Sequence, residues 1–442
     1  MKKILCFCLV LVLSLCMGSL AQATDGYFSH GYGIKAKGMG GAQTAVAQDA
    51  MIAATNPAGM AFVGDRFDVG IDWFSPQRNA TRSGAAAIDG SADSGSTNFF
   101  IPELGLNKMI TPNLAVGLTI YGNGGMNTNY PTGQITSAAG VATCNNFLNM
   151  GGQPTASSNN LLCGTSRLGV DLMQVIFAPT VAYKVTPNHS FGISPLIGYQ
   201  RFKAEGLQGF AAYSEDKNNL TNRGYDDASG LGVRIGWMGK ISDAVTLGAA
   251  YSSKIYMTPF EKYKGLFANQ GDFDIPENYN VGIAIKILQP LLFAMDYQRI
   301  NYTSVASVSN PSTNGGATIA NTLGGDGDRG FGWSDVNVWK FGLQYQATDK
   351  LALRAGYNHT DNPISARDVT FNIISPGVVT DHYTAGLTYK IGKSSELTIA
   401  YMHAASNSVT GSSLFNDFGV AAGNERISMS QNSLGIAFGM KF

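Results

Sequence analysis

Ser433-Leu434-Gly435-Ile436-Ala437-Phe438-Gly439-Met440-Lys441-Phe442 sets large apolar side chains on Leu434, Ile436, Phe438, Met440 and Phe442, with small or charged residues between them. Successive side chains of a strand point to opposite faces, so this segment has one apolar face and one thin, polar face. A strand of this kind ending on an aromatic residue is the mark of bacterial outer-membrane β-barrels. Phe442 is accordingly expected to engage the barrel-assembly machinery.

The opposite end is consistent. Met1-Lys2-Lys3 is a short basic start, Ile4 to Met17 is an apolar run, and Ala21-Gln22-Ala23 is a small-x-small step. These features predict a secretory signal peptide over 1–23, too short and wrongly flanked for a membrane anchor. Leu15 before Cys16 argues against a lipoprotein signal. No later stretch reaches the roughly 18 uninterrupted apolar residues of a membrane helix. The composition, with 54 Gly, 19 Tyr, 23 Phe and 14% charged residues, favours a barrel over a soluble periplasmic domain. A net charge of zero offers nothing to a nucleic acid.

Cys6, Cys8 and Cys16 would leave with the signal. Cys144 and Cys163 remain in a Gly/Ser/Asn-rich stretch, and an even pair in an oxidising compartment is most simply a disulfide closing one surface loop.

From residue 66 one pattern repeats: a long alternating strand, then a connection. Tight connections fall at Thr111-Pro112-Asn113, Thr186-Pro187-Asn188, Ser242-Asp243, Gln289-Pro290, Thr348-Asp349 and Gly392-Lys393-Ser394, in the residue types that turns demand. Between them lie polar segments near 82–97, 132–168, 207–227, 308–330, 366–377 and 412–424, with a shorter one near Asn269 to Asp272. Six turns and seven loops join fourteen strands. Short turns at one rim and long loops at the other define an all-β, 14-stranded antiparallel transmembrane barrel in the bacterial outer membrane, among its lipid and lipopolysaccharide. The strands agree: Phe67, Val69, Ile71 and Trp73 alternate with Asp68, Gly70 and Asp72, as do Val175, Phe177, Val181 and Tyr183 with Gln174, Thr180 and Ala182. The apolar set is expected to face lipid.

Residues 24–65 break the pattern. They are rich in Ala and Gly, with a helix-compatible stretch from Ala42 to Ala54 that Asn56-Pro57 stops. Such a segment ahead of a wide barrel is either a periplasmic tail or a plug. Gly38 to Ala58 resembles the N-terminal hatch of the FadL family of long-chain fatty-acid and hydrocarbon transporters, through its glycine-rich start, Asp49-Ala50, and Asn56-Pro57-Ala58. The resemblance implies a hatch over 24–65 plugging the lumen of a barrel over 66–442. It also bears on Gly122-Asn123-Gly124-Gly125, at the end of the third strand. The residues alone fit either a bend or the start of the long loop; the resemblance implies an inward kink opening a lateral gate.

A hydrophobic ligand gains about 25 cal/mol per Å2 of apolar surface removed from water, so it needs an apolar capture surface, a pocket and an exit into lipid. Candidate capture residues are Phe260, Tyr263, Leu266 and Phe267 at the outer end of the seventh strand, with Phe210 and Tyr213 in a loop. They are expected to be exposed as a binding patch, some of them serving instead as interfacial girdle residues. In the family the extreme N-terminus reaches into the ligand pocket, which puts Tyr27 and Phe28 there; ordinary packing of the hatch is the alternative. Arg234, Lys340 and Arg354 face inward by alternation and are candidate partners for a carboxylate, although pairing with inward acids or the hatch explains them as well.

No nucleophile elbow, zinc helix or nucleotide loop is present, so no catalytic residues, metal or cofactor are expected. The reading is a passive, monomeric channel for hydrophobic small molecules. A surface adhesin and an aqueous porin are the alternatives.

Overall fold

Each strand pairs antiparallel with its neighbours in sequence, and the last returns to the first. The computed structural model describes residues 24–315 and 322–442; the expected signal peptide lies outside them. The barrel strands are β1 (Arg66–Ser83), β2 (Phe99–Met109), β3 (Leu114–Asn127), β4 (Gly169–Lys184), β5 (His189–Glu205), β6 (Asp226–Lys240) and β7 (Val245–Ser252). They continue as β8 (Asn278–Leu288), β9 (Leu291–Ile300), β10 (Val336–Gln346), β11 (Leu351–Thr360), β12 (Asp381–Ile391), β13 (Ser395–Ser412) and β14 (Asn424–Lys441). Pairing of β1 with β14, from Arg66↔Lys441 to Ser83↔Asn424, closes the barrel and removes its edges. Two short strands, Gly90–Asp93 and Tyr256–Met257, fold back from loops onto β1 and β6.

All six tight connections fall where the sequence put them. In four of them a hydroxyl fixes the turn. Thr111, Thr186, Ser242 and Thr348 each accept a bond from the amide three residues on, at 3.0 to 3.2 Å. The connection expected near 269–272 is longer than read. It spans 253–277, because β7 stops at Ser252 and the chain turns back to pair Tyr256 with Leu231.

The outer face is apolar. Leu434, Ile436 and Phe438 of the C-terminal strand are exposed, whereas Ser433 and Gly435 point inward. Tyrosines on that face end in polar groups of adjoining segments: Tyr251 donates to Glu277, Tyr297 to Asn337 and Tyr401 to Asn432. Such groups, apolar in body and polar at the tip, suit a membrane interface. Two residues read as lipid-facing, Phe67 and Val175, are buried instead. Val175 lies opposite a bulge in β3.

Residues 24–65 lie within the barrel and are almost wholly buried. The helix-compatible stretch Ala42–Ala54 is not one helix. A short helix, Ile34–Lys37, comes earlier, and only Ala50–Ala54 forms a 3-10 turn, followed by Pro57–Gly59 and the helix Met60–Val63. The reason is competition for backbone amides. Asp296 of β9 accepts from the amides of Gln43 and Thr44, both at 2.8 Å, and Asp68 of β1 accepts from Ala50 at 2.9 Å. The Ala50 amide, held by Asp68, could not also serve a continuous helix, whereas Asp296 fixes the two amides at the start of the run to the wall. Lys35 with Glu396 and Lys37 with Asp72 add ion pairs between hatch and wall.

Candidate functional site in the hatch and the barrel wall

The hatch motif is a set of local caps joined to the wall. The Asp49 side chain accepts from the Met51 amide at 3.1 Å and starts the 3-10 turn. Burial, and next the Asp68 carboxylate, hold the Asp49 carboxyl above its ordinary range. Asn56 accepts from the Ala58 amide at 3.1 Å and donates to Thr44 O (2.8 Å) and Trp237 O (2.9 Å). Pro57 opens the next turn, where its missing N–H costs nothing, and Ser190 of β5 donates to Ala58 O. Ala50 and Pro57 rest on inward glycines. A Cβ at Gly105 would lie 2.9 Å from Ala50, and one at Gly192 2.4 Å from Pro57.

The three inward cations named from the sequence all bond to the hatch. Arg234 donates to Ser252 Oγ, Ala53 O and Tyr121 Oη, and Arg354 to Thr388 and Gln48. Lys340 donates to His30 O at 3.0 Å and stands 3.7 Å from Asp25.

Gly122 to Gly125 belong to β3, not to the following loop. Opposite β4, Gly122 pairs with Val175 and Gly124 with Gln174, so Asn123 is the extra residue of a bulge. On the other side, β3 leaves β2. Their ladder ends at Leu104↔Ile120, while β2 continues against β1 as far as Phe99↔Phe74. Phe99–Glu103 and Tyr121–Asn127 therefore face each other without pairing. Further out, Gly95 N donates to Asn129 O at 2.9 Å and Asn129 N to Ser94 Oγ at 3.0 Å. The unpaired stretch is thus a window, framed below by the ladder and above by these bonds.

On the inner side the hatch meets the bulge. Gly125 N donates to Tyr27 O (3.1 Å), Ser29 N donates to Asn123 O (3.2 Å), and Tyr32 Oη donates to Asn123.

Sequence reasoning placed Phe210, Tyr213, Phe260, Tyr263 and Phe267 at the exposed surface. All five are buried, and Leu266 is partly buried against them. The long loops fold over the barrel mouth and turn their aromatics toward one another, which removes more apolar area from water than a solvated patch would. Phe210, Leu266 and Phe267, with Phe331, Phe371 and Ile374, line a tight apolar cavity of about 30 Å3. From its wall a chain of rings runs inward. Phe267 and Phe273 are 4.8 Å apart, Phe273 and Tyr27 6.1 Å, and Tyr27 and Phe28 5.5 Å, and Phe28 bridges to Gly124. Tyr302 and Trp333 pack on Tyr27 at 5.2 and 5.7 Å.

Several residues of this site escaped the sequence reading. Glu103, which accepts from Gly33 N and Ile34 N, is an anchor that alternation alone does not single out, whereas Asp296 was legible by alternation as an inward acid. Pro102 was legible: a proline inside a strand cannot donate to a ladder and signals an edge. Phe273, Tyr302 and Trp333 join the ring chain only through closure.

Cys144, in the helix Ala138–Met150 of the longest loop, is bonded to Cys163.

A closed, apolar-faced barrel with a buried hatch, a covered apolar cavity and a window in its wall belongs to the class of outer-membrane transport proteins. The match is to a family: residues 144–442 fit the model of the outer membrane protein transport proteins OMPP1, FadL and TodX, and the chain belongs to that family. The protein is therefore an outer-membrane barrel. The matched span omits the hatch and β1 to β3. No curated protein matches the sequence. Among solved structures the toluene transporter TodX of Pseudomonas putida is similar at 18% identity, covering 93% of this chain and 99% of that one, with a TM-score of 0.64. The toluene transporter TbuX of Ralstonia pickettii is similar at 19% identity, 93% and 99% coverage, and a TM-score of 0.61. A Pseudomonas aeruginosa FadL homologue is similar at 15% identity, 96% and 100% coverage, and a TM-score of 0.65. At these identities the likeness is one of fold.

Proposed function

We propose that the protein is a passive, monomeric channel that takes hydrophobic small molecules, fatty acids or hydrocarbons, across the outer membrane and releases them sideways into lipid. The hatch spans 24–65 and the barrel 66–442. Ligand enters the loop-covered cavity at Phe210, Leu266 and Phe267, passes along the rings to Tyr27 and Phe28, and leaves between β2 and β3. Assembly of the barrel runs through the strand ending at Phe442. The observation that carries the reading is the window, where pairing stops at Leu104↔Ile120 beside the bulge. Unpaired backbone inside a membrane is tolerated only where protein, water or ligand can meet it, so an unladdered stretch at this depth calls for a function. The toluene transporters among the similar structures fit a hydrophobic cargo.

Deleting Asn123 tests the route. Without the extra residue β3 can stay in register with β4 and be drawn back toward β2. Uptake of toluene and of oleate by cells carrying the deletion should fall to the level of cells without the protein, while purified protein still binds both. Uptake at the normal rate by a folded deletion variant would show that cargo leaves elsewhere.

A further inference from the structure

At the rim of tight turns, which in such barrels faces the periplasm, the hatch and the wall leave a polar cavity of about 150 Å3 between them. Lys350 of the turn before β11, Arg354 of β11, Lys390 of β12 and Glu396 of β13 line it from the wall, and Lys35 and Gln48 from the hatch. Lys350 and Lys390 are neighbours across the ladder, where Lys390 N donates to Lys350 O at 2.9 Å, and both residues are exposed. Of the whole lining only Ala352 is apolar.

Four cations and one carboxylate meet in this space, and the carboxylate is already held. Glu396 pairs with Lys35 and, at 2.7 Å, with Arg66. Of the other acids nearby, Asp68 also pairs with Arg66, Asp49 accepts from the Met51 amide, and Asp349 is exposed in the turn without an ion pair. Among the described residues no carboxylate stands within ion-pair distance of Lys350, Arg354 or Lys390. Arg354 is 7% exposed and bonds only to neutral oxygens, Thr388 Oγ1 at 2.7 Å and Gln48 Oε1 at 3.0 Å, while its Nε has no partner. A buried guanidinium met only by neutral acceptors is incompletely compensated, and two lysines add their charge to the same space.

We propose that this cavity binds a small multivalent oxyanion, a phosphate or soluble phosphate monoester, which bridges hatch and wall and latches the hatch in place. Two ammonium groups and a guanidinium suit the several oxygens and double charge of a phosphate better than a single carboxylate. The lining offers no apolar surface to an acyl or aryl body, so the hydrophobic cargo does not belong here. Nor does a lipid headgroup: Gln344, Arg354, Thr388 and Lys390 line the inner cavity, whereas Leu343, Leu353, Leu387 and Tyr389 stand exposed on the lipid side. Because Lys35 and Gln48 come from the hatch and the other groups from the wall, the site is complete only with the hatch docked. Occupancy therefore stabilises docking by mass action. The inference is independent of where cargo leaves the barrel.

Titration of inorganic phosphate into full-length mature protein in dodecyl maltoside, at pH 8 and constant ionic strength, tests it. Saturable binding with a Kd of about 1 mM or tighter is expected. The double variant Lys350→Gln with Lys390→Gln, and separately Arg354→Gln, should each weaken it by about tenfold or more, and Arg354→Lys should recover part of the loss. With phosphate at about ten times its Kd, hydrogen exchange of hatch amides over 34–50 should slow by about tenfold in the wild type and stay unchanged in the double variant. No saturable binding, an unchanged affinity in the double variant, or an acetate affinity equal to that for phosphate would overturn the site. Binding without slower hatch exchange would overturn the latch. Displacement of phosphate by phosphatidylglycerol in mixed micelles would assign the site to a lipid headgroup and overturn the soluble ligand. Should Arg354→Gln fail to insert, the two exposed lysines decide. Uptake of cargo is not part of the readout, so failure of the lateral route leaves this result untouched, and the reverse holds as well.

Discussion

Gly124→Ala should detach the hatch's first residues from β3 without unfolding the barrel. A Cβ built on Gly124 would lie 1.8 Å from Tyr27 O and 2.8 Å from Tyr27 C. Both are backbone atoms, which no rotamer change can move aside, so hatch and strand must separate by more than about 1 Å to restore ordinary contact. That breaks the bonds Gly125 N to Tyr27 O at 3.1 Å and Ser29 N to Asn123 O at 3.2 Å. At about 0.5–1.5 kcal/mol each, their loss amounts to about 1–3 kcal/mol, a shift of roughly 5- to 150-fold in the docking equilibrium. Hydrogen exchange reads it directly. The amides of Gly125 and Ser29 should lose protection by that factor, while those of β3 below Ile120 stay as protected as in the wild type. Gly122→Ala is the control, since the nearest atom to its Cβ is Ile101 Cγ2 at 2.9 Å, the end of a side chain that can rotate away. Unchanged protection in Gly124→Ala, or an equal loss in Gly122→Ala, would refute the claim that β3 and hatch touch backbone to backbone.

Asn56→Ala removes bonds to Thr44 O, Trp237 O and Ala58 N, and should loosen hatch docking by about 1–3 kcal/mol; limited proteolysis should then cut within 24–65 faster while the barrel keeps its heat-resistant gel mobility. Cys144→Ser with Cys163→Ser opens a cross-link between residues 19 apart and should lower the stability of the helix Ala138–Met150 by about 3 kcal/mol, read as faster exchange of its amides. Burial, and next Asp274, push the Asp272 carboxyl up to about 6. The folded loop therefore binds more protons than the unfolded chain between the ordinary carboxylate value and that point, and its stability should fall as pH rises through this window. Exchange of 260–271, corrected for intrinsic rate, should be slower at pH 5 than at pH 8, and Asp272→Asn should erase the difference.

Much of the barrel was legible because its signals are local. Alternation over Ser433 to Phe442 states which side chains face lipid, and Thr111, Thr186 and Thr348 state where the chain reverses. Asn56-Pro57-Ala58 was legible for the same reason: a side chain capping an amide two residues on needs only its own neighbourhood. The hatch's internal fold was not, because the acceptors of its amides, Asp296 and Asp68, come from distant strands and override the helical preference of the Ala-rich run. The loop aromatics were misread as exposed because composition marks Phe260 and Tyr263 as apolar but cannot say which loop will cover them.

The sequence by itself determined an outer-membrane barrel preceded by a segment that breaks the strand pattern, since period, turn chemistry and end signals are properties of neighbours along the chain. Tertiary structure alone decided the site. Closure lays Tyr27 against Gly124 and Tyr302, residues far apart in the chain, and stops the β2–β3 ladder at Ile120. It also leaves Arg78 of β1 without a carboxylate at ion-pair distance among the described residues, whereas Arg66 and Arg82 have one, because the charge balance of a buried group is set by whatever the fold brings beside it.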